Sequence, residues 1–314
     1  MAKYILKRLL FAIPTIIGVF ILVFFIIRMI PGDPASAMLG AGASQEQVEI
    51  YRAKYGLNEP LIVQFTLAFG KFLRGDFGMS VSQYKPVIQC ILTRLPNTAE
   101  LAILGILLGM ILAIILGVLA AVNRGRWPDL LLTSFSTFGM ALPSFYVGLW
   151  ILVIFATKLE IIPVLANLEG VPHWQGLFGP LLTMVIGATS LLMRTTRSSI
   201  LEIFGEDFIR TARAKGLAER VILYKHALGN ALIPIVTVAG YNLATAFGGA
   251  IILETVFTRN GIGKLLIDAI NVRDYALVQG TTIIIALLMI TINIATDIIY
   301  SVVDPRIRVA GDEN

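Results

Sequence analysis

The sequence predicts an all-α, polytopic membrane protein with six transmembrane helices. Three observations carry that reading. First, 57% of the 314 residues are hydrophobic and only 14% are charged, whereas a soluble domain is about a quarter charged. Second, the apolar residues gather in blocks long enough to cross a bilayer, which takes about twenty residues. Third, most of the basic residues sit in alternate gaps between those blocks, as the charge rule for membrane topology requires.

Leu9 to Ile27 is uncharged and follows Lys3, Lys7 and Arg8, so residues 1–30 are the N-terminus and first span. Ala35-Ser36-Ala37 looks like a leader cleavage site. The apolar run is long for a leader core, however, and Pro31-Gly32-Asp33-Pro34 intervenes, so the segment is read as a retained span. Residues 31–100 are mixed and largely polar, and read as an extracytoplasmic helical domain. Leu61, Phe65, Leu67, Phe69 and Phe72 give it some apolar periodicity. Gly75-Asp76-Phe77-Gly78 reads as a turn, because no glycine-rich loop or HRD motif accompanies it. Residues 101–303 form the bundle, with spans at about 101–123, 130–157, 178–197, 231–253 and 276–303. Gly139 and Pro143 predict a kink in the third span. Gly248 and Gly249 predict close helix packing in the fifth. Residues 304–314 are a cytoplasmic tail.

The chain is organised around a charged island from Glu206 to Pro234, within a loop at 201–230. Glu206 and Asp207 open a short helix and Arg213 and Lys215 close it, each at the end the helix dipole favours. Glu206 and Arg210 stand four apart, and Gly216 is the stop. A second short helix fits Ala218 to Leu228, with Asn230 capping the span that follows. A charged loop that merely fixes topology is the plain reading. A helical docking element for a soluble partner is the sharper one, because a short rigid helix between two spans passes a push to both.

Basic residues set the orientation. The N-terminus has three, the 123–129 turn two, Arg194 to Lys225 seven and the tail two, fourteen in all. The short opposite loops hold only Lys158, Arg259, Lys264 and Arg273. Both termini and the island are therefore expected in the cytoplasm. The net charge of +5 reflects these loops rather than a nucleic-acid surface.

Much chemistry is excluded. The single cysteine, Cys90, permits neither an internal disulfide nor a thiolate metal cluster in one chain. His173 and His226 are far apart in sequence and too few for a histidine-rich metal site. Gly261-Ile262-Gly263-Lys264-Leu265 lacks the first glycine and the Ser/Thr of a phosphate-binding loop. No catalytic, cofactor or metal site is expected, and any ATP and magnesium would lie on separate subunits. Few polar residues enter the spans. Asp297 is either functional or paired with Arg194 or Arg8. Asn242 and Asn293 line a path or join helices. Glu254 is placed near the outer interface, where it shapes an outer gate.

The island resembles the cytoplasmic loop of the oligopeptide/dipeptide/nickel ABC importer permeases, through Phe208-Ile209-Arg210-Thr211-Ala212-Arg213-Ala214-Lys215-Gly216. It departs from the wider importer pattern of EAA, three residues, Gly, nine residues and I-x-L-P. Arg210, Thr211 and Ala212 hold the E-A-A places, and His226, Ala227, Leu228 and Gly229 the I-x-L-P places. The peptide/nickel branch is similar to this chain in those departures. Further pieces run in order from end to end. They include Met29-Ile30-Pro31-Gly32-Asp33-Pro34, Gly75-Asp76-Phe77-Gly78, Arg194-Thr195-Thr196-Arg197-Ser198-Ser199, Glu254-Thr255-Val256-Phe257, Gly261-Ile262-Gly263, Arg273-Asp274-Tyr275 and Asp304-Pro305-Arg306-Ile307-Arg308. They match the permease with the larger first periplasmic domain.

The resemblance implies a type I importer permease fold in a bacterial inner membrane. It implies a second, similar permease, two cytoplasmic ATPase subunits and an extracytoplasmic solute-binding protein as partners, with membrane lipid around the bundle and no nucleic acid. The solute would be a di- or oligopeptide, glutathione or a nickel chelate. The coupling residues it implies are Arg210, Thr211, Ala212, Lys215, Gly216, Leu217, Glu219, Arg220 and His226. An ion-coupled secondary transporter or channel is the alternative from another class, and a non-transporting membrane scaffold a third.

Overall fold

The computed structural model describes residues 2–40, 42–167 and 169–303, so the tail 304–314 lies outside the described residues. Helix α1 (Ala2–Met29) is followed by a small outer segment. That segment contains α2 (Pro34–Leu39), α3 (Gln45–Lys54), α4 (Leu61–Leu73) and a two-stranded antiparallel ribbon, β1 (Met79–Ser80) with β2 (Lys85–Pro86). The bundle continues with α5 (Val87–Val122), α6 (Trp127–Ala141), α7 (Ser144–Ile151) and a π-helical stretch over Leu152–Lys158. Then come α8 (His173–Ile203), the short α9 (Asp207–Ala214) and α10 (Glu219–Val221). A second π-helical stretch (Ile222–Ala227) runs into α11 (Leu228–Val256), before α12 (Ile262–Asn271) and α13 (Tyr275–Val303). Among the described residues, five helical segments are long and apolar enough to cross a membrane, and α6 with α7 makes a sixth crossing if the pair is one broken span.

Helix α8 is the centre. Two thirds of its span window is buried (67%), against 11% for α13. It runs parallel to α5 along a seam of small residues. Gly105 faces Met184, Gly109 faces Ala188 and Gly117 faces Thr196, always at the same offset, with buried Ala113 between. A methyl group on Gly109 would stand 2.6 Å from Ala188 Cβ, and one on Gly117 2.6 Å from Thr196 Cβ. Helices approach this closely in membranes only over such small residues. On another side of α8, Ser136 Oγ of α6 donates to Ser190 O at 2.6 Å, and Gly139 packs against the Ser190 side chain.

Helix α1 lies antiparallel against α13. Arg8 pairs with Asp297 at one end (2.9 Å), and the Arg28 guanidinium lies over the Tyr275 ring at the other (5.1 Å). Phe20 and Phe24 of α1 are buried under Phe65, Phe69 and Phe72 of α4, with ring centroids 4.8 to 6.0 Å apart. The aromatic periodicity of α4 is thus the face it lays on α1. Leu67, read as part of that stripe, points away and is exposed. Gly75 and Gly78 both adopt positive φ, and Asp76 Oδ1 accepts from Gly78 N at 2.8 Å. GDFG is therefore a turn, as its composition implied.

Four expectations differ from the structure. The helix carrying the second span starts at Val87, so its first turns stand in the region read as outer domain. The third span is broken rather than kinked: α6 and α7 meet at 105°. The break falls at Leu142 and Pro143, where extended backbone interrupts the helix, while Gly139 serves contact with α8. Gly248 and Gly249 have nothing near their missing side chains; the close approaches belong to Gly105, Gly109 and Gly117, and to Gly240 against Thr296. The second short helix at 218–228 does not end, because Glu219–Val256 is one continuous rod. Asn230 lies inside it and donates to His226 O (2.6 Å) rather than capping a new helix.

The small-residue seam predicts that Gly109→Leu lowers stability by about 1–3 kcal/mol through overpacking, while Gly248→Ala does not lower it. Thermal unfolding in detergent compares the two, and equal melting temperatures would refute the seam. Asp33 caps α2 and pairs with Arg52 (3.2 Å). Burial pushes its carboxyl up, but hydrogen bonds from Ser36 and Arg52 outweigh this and hold it at about 2. Its contribution is therefore present above the ordinary aspartate range and lost as pH falls from about 4 through 2. Limited proteolysis of the outer segment across that window should show the loss, and Asp33→Asn should remove the pH dependence.

Candidate functional site

The island is a built structure. Helix α9 is strongly two-sided. Ile209 and Ala212 are buried against Ile222, Ile203 and Phe204. Arg210, Thr211, Lys215, Gly216, Glu219 and Arg220 are exposed, and His226 is half-buried. Arg210 pairs with Asp207 (2.8 Å), not with Glu206, and Arg213 forks onto Glu219 (2.8 and 3.3 Å). Hydrogen bonding to Glu219 raises the Arg213 guanidinium further above its already high range.

Gly216 has φ +77°, its N–H donates to Arg213 O, and Leu217 N donates to Ala212 O. Those two hydrogen bonds around a left-handed glycine make a Schellman stop. It turns the chain sharply from α9 into the rod at Glu219. Phe208, Leu217, Val221 and Tyr224 are exposed apolar or aromatic side chains on the same island. Exposed apolar side chains gathered in a charge-rich stretch are the kind of surface that partners use. Near the island, a latch ties α8 to the start of α6. Arg197 of α8 grips buried Asp129 through two hydrogen bonds of 2.6 and 2.8 Å, and Gly125 N and Thr133 Oγ1 complete the carboxylate's partners. The turn at 123–129 and the island end of α8 therefore share one end of the bundle.

The opposite end holds a buried polar knot. Glu254 is fully buried near the end of α11. Its carboxylate accepts from Thr98 Oγ1 and from the backbone N–H of Gly263 (2.8 Å) and Lys264 (3.0 Å), the first turn of α12. An acid belongs at a helix N-terminus on dipole grounds. Thr98 Oγ1 also accepts from Ile262 N (2.9 Å). Gly261 and Gly263 are required, because a methyl on Gly261 would collide with the Glu254 carboxylate and one on Gly263 with Ile251 Cα. Beside it, buried Arg259 pairs with Glu100 (2.7 Å), which also holds His173 (2.8 Å). Asp274 makes a second clamp. It accepts from Ser80 Oγ (2.7 Å), Ser82 N, Ser82 Oγ and Leu277 N, so it ties the ribbon to the start of α13.

The sequence reading placed Glu254 at this end but missed its partners. The signal lay in the adjacent Glu254-Thr255-Val256-Phe257 and Gly261-Ile262-Gly263 pieces, which the fold makes into one unit. Asp297 has Arg8 as its partner, one of the two arginines named from sequence. Asn242 Nδ2 donates to Val238 O within its own helix (2.8 Å). Asn293 is half-buried on α13.

The fold is thus a helical bundle with a docked amphipathic helix at one end. Comparison with known proteins identifies its family. Residues 105–309 match the family described as binding-protein-dependent transport system inner membrane component, and residues 1–102 its N-terminal companion. The chain is 37% identical over 308 residues to the glutathione transport system permease protein GsiC of Escherichia coli (strain K12), covering 98% of this chain and 99% of that one. It is 38% identical over the same length to GsiC of Salmonella typhimurium, with the same coverage. Among solved structures, the inward-facing MetNI methionine ABC transporter aligns with TM-score 0.55 at 19% identity, over 69% of this chain and 97% of that one. An amino acid ABC transporter with histidines gives 0.53 at 14%, over 70% and 94%; both likenesses concern the fold.

The chain belongs to the inner-membrane component family of binding-protein-dependent transport systems. It is a multi-pass permease subunit of an ABC importer, a transport component rather than an enzyme, and it works in a complex with ATPase and binding-protein partners.

The outer knot yields a prediction. Glu254→Leu leaves the Gly263 and Lys264 N–H groups buried without acceptors, and each orphaned group costs about 1–3 kcal/mol. The variant should lose folded yield in size-exclusion chromatography, with Thr98→Val less affected. Wild-type yield from Glu254→Leu would show that the knot does not brace this end.

Proposed function

We propose that this chain forms half of the translocation path for glutathione, peptides or similar small solutes, and that ATPase subunits drive it through the 206–228 loop. The supporting observation is the junction at Gly216. A rigid, two-sided α9 leads through a fixed glycine turn into a rod that continues unbroken from Glu219 to Val256. A push on the island therefore moves a whole span.

Arg210, Thr211, Lys215, Leu217, Glu219, Arg220 and Tyr224 face the ATPase, while Ala212 and Ile209 hold α9 to the bundle. ATP and magnesium act on the partner subunits, closing them on each other and carrying α9 and the rod with them. The bundle then opens outward to take solute from a docked binding protein, and hydrolysis resets it. The excess of basic residues supports a cytoplasmic island and cytoplasmic termini. A second permease completes the path, and much of the choice of solute rests with the binding protein. The solute class follows from the relatives named for glutathione transport.

The test is co-purification of the tagged chain from its native membrane in mild detergent. ATPase subunits should be retained by the wild type and fall by roughly tenfold or more in Arg220→Glu combined with Tyr224→Ala, since exposed Arg and Tyr dominate such interfaces. Melting temperature should be unchanged. If the chain emerged alone yet moved solute into liposomes without ATP, ion-coupled transport would replace this reading and Asp297 would become the residue of interest.

A further inference from the structure

A cavity of about 620 Å³ opens between α1, α4 and the start of α13. It lies well away from the ATPase-facing island. Its floor is apolar, with Phe20, Phe72 and Ile283, and its rim carries Arg28 and Lys71. Between floor and rim sits Gln279, 8% exposed, whose Nε2 has no hydrogen-bond partner.

Three facts point to an occupant. The Arg28 side chain is half-buried and held by Gln64 Oε1 (3.1 Å), Phe24 O (3.2 Å) and the Phe24 ring (3.6 Å). Among the described residues no carboxylate forms an ion pair with it or with Lys71. A partly buried cation without a counter-charge favours an anion beside it. Second, Tyr275, Gln279 and Ile283 line the cavity along one face of α13, each about 6 Å further along the helix than the last. Third, Leu67 at the mouth is exposed, on an apolar helix packed against a membrane span. Two carboxylates also line the cavity. Asp274 is fully engaged by its four donors, and Asp76 Oδ1 by Gly78 N.

We propose that this cavity is a binding site for an anionic phospholipid of the leaflet on the side of the 31–86 segment. Arg28 and Lys71 receive the phosphate at the interface. Gln279 Nε2 donates to an ester carbonyl one step further along α13. The acyl chain lies along Phe20, Phe72 and Ile283. The site ties α4 to α1 and α13 from outside the protein. It requires only that the chain spans a membrane, so it stands or falls apart from the coupling mechanism.

The experiment compares the intact importer complex in nanodiscs of phosphatidylglycerol and of phosphatidylcholine, and in detergent with inorganic phosphate. Phosphatidylglycerol should raise the melting temperature by a few degrees over phosphatidylcholine. Inorganic phosphate alone should not. Lys71→Gln, an exposed change, should weaken retention of phosphatidylglycerol about fivefold, as measured by mass spectrometry of co-purified lipid. Ala68→Trp, which fills the cavity, should abolish the difference between the two lipids while the chain still elutes as folded protein. Equal effects of both lipids, a matching shift from inorganic phosphate, or undiminished lipid retention in both variants would each overturn the proposal.

Discussion

The closeness of α5 to α8 is the constraint on which the bundle depends. In lipid there is little hydrophobic force between helices, so association rests on packing that only small residues permit. Gly105, Gly109, Ala113 and Gly117 supply that surface on α5, at one residue per helical turn. With α8 fixed on α5, its other sides receive α6 through Ser136 and Gly139, and α11 through the core that includes Ala239 and Phe247. The periphery then assembles by different means. Helix α4 attaches to α1 through an aromatic cluster, and α13 packs on α11 where Gly240 meets Thr296.

The two ends of the bundle are secured by opposite strategies. At the island end, the fixed part is the Asp129–Arg197 latch, and the outward part is charged and exposed. At the other end, the charges are turned inward. Glu254, Arg259 and Asp274 are all buried; backbone N–H groups donate to the two carboxylates, and Arg259 donates to Glu100. A surface that must exchange partners keeps its polar groups in water. An end that must keep its shape during repeated motion closes them on its own backbone.

Much of this was legible in the sequence. Span number followed from apolar length, and the island from charge density and Gly216. The cost of a lone membrane acid left Asp297 either functional or paired with Arg194 or Arg8, and Arg8 lies beside it. What escaped had a common cause. Whether a glycine serves packing depends on what faces it: Gly248 and Gly109 look alike in sequence, but only Gly109 meets another helix. Likewise, Ala218 to Leu228 has the pattern of a helix whether or not it stops. Its continuation into α11 depends on the π-helical turn absorbing the register, a backbone adjustment that side-chain periodicity does not announce. Glu254 was visible as an acid, but its donors are backbone groups, which any sequence possesses.

The two family modules meet between residues 102 and 105, yet that junction falls in the middle of α5, an unbroken helix. The seam between the modules is thus a stiff rod rather than a joint. One added residue there would rotate everything beyond it by about 100° and advance it by about 1.5 Å, swinging the glycine face off α8. The two modules are therefore phased like a key and its shaft: either can vary along its own length, but the number of residues between Thr98 and Gly105 is as fixed as any side chain in the protein.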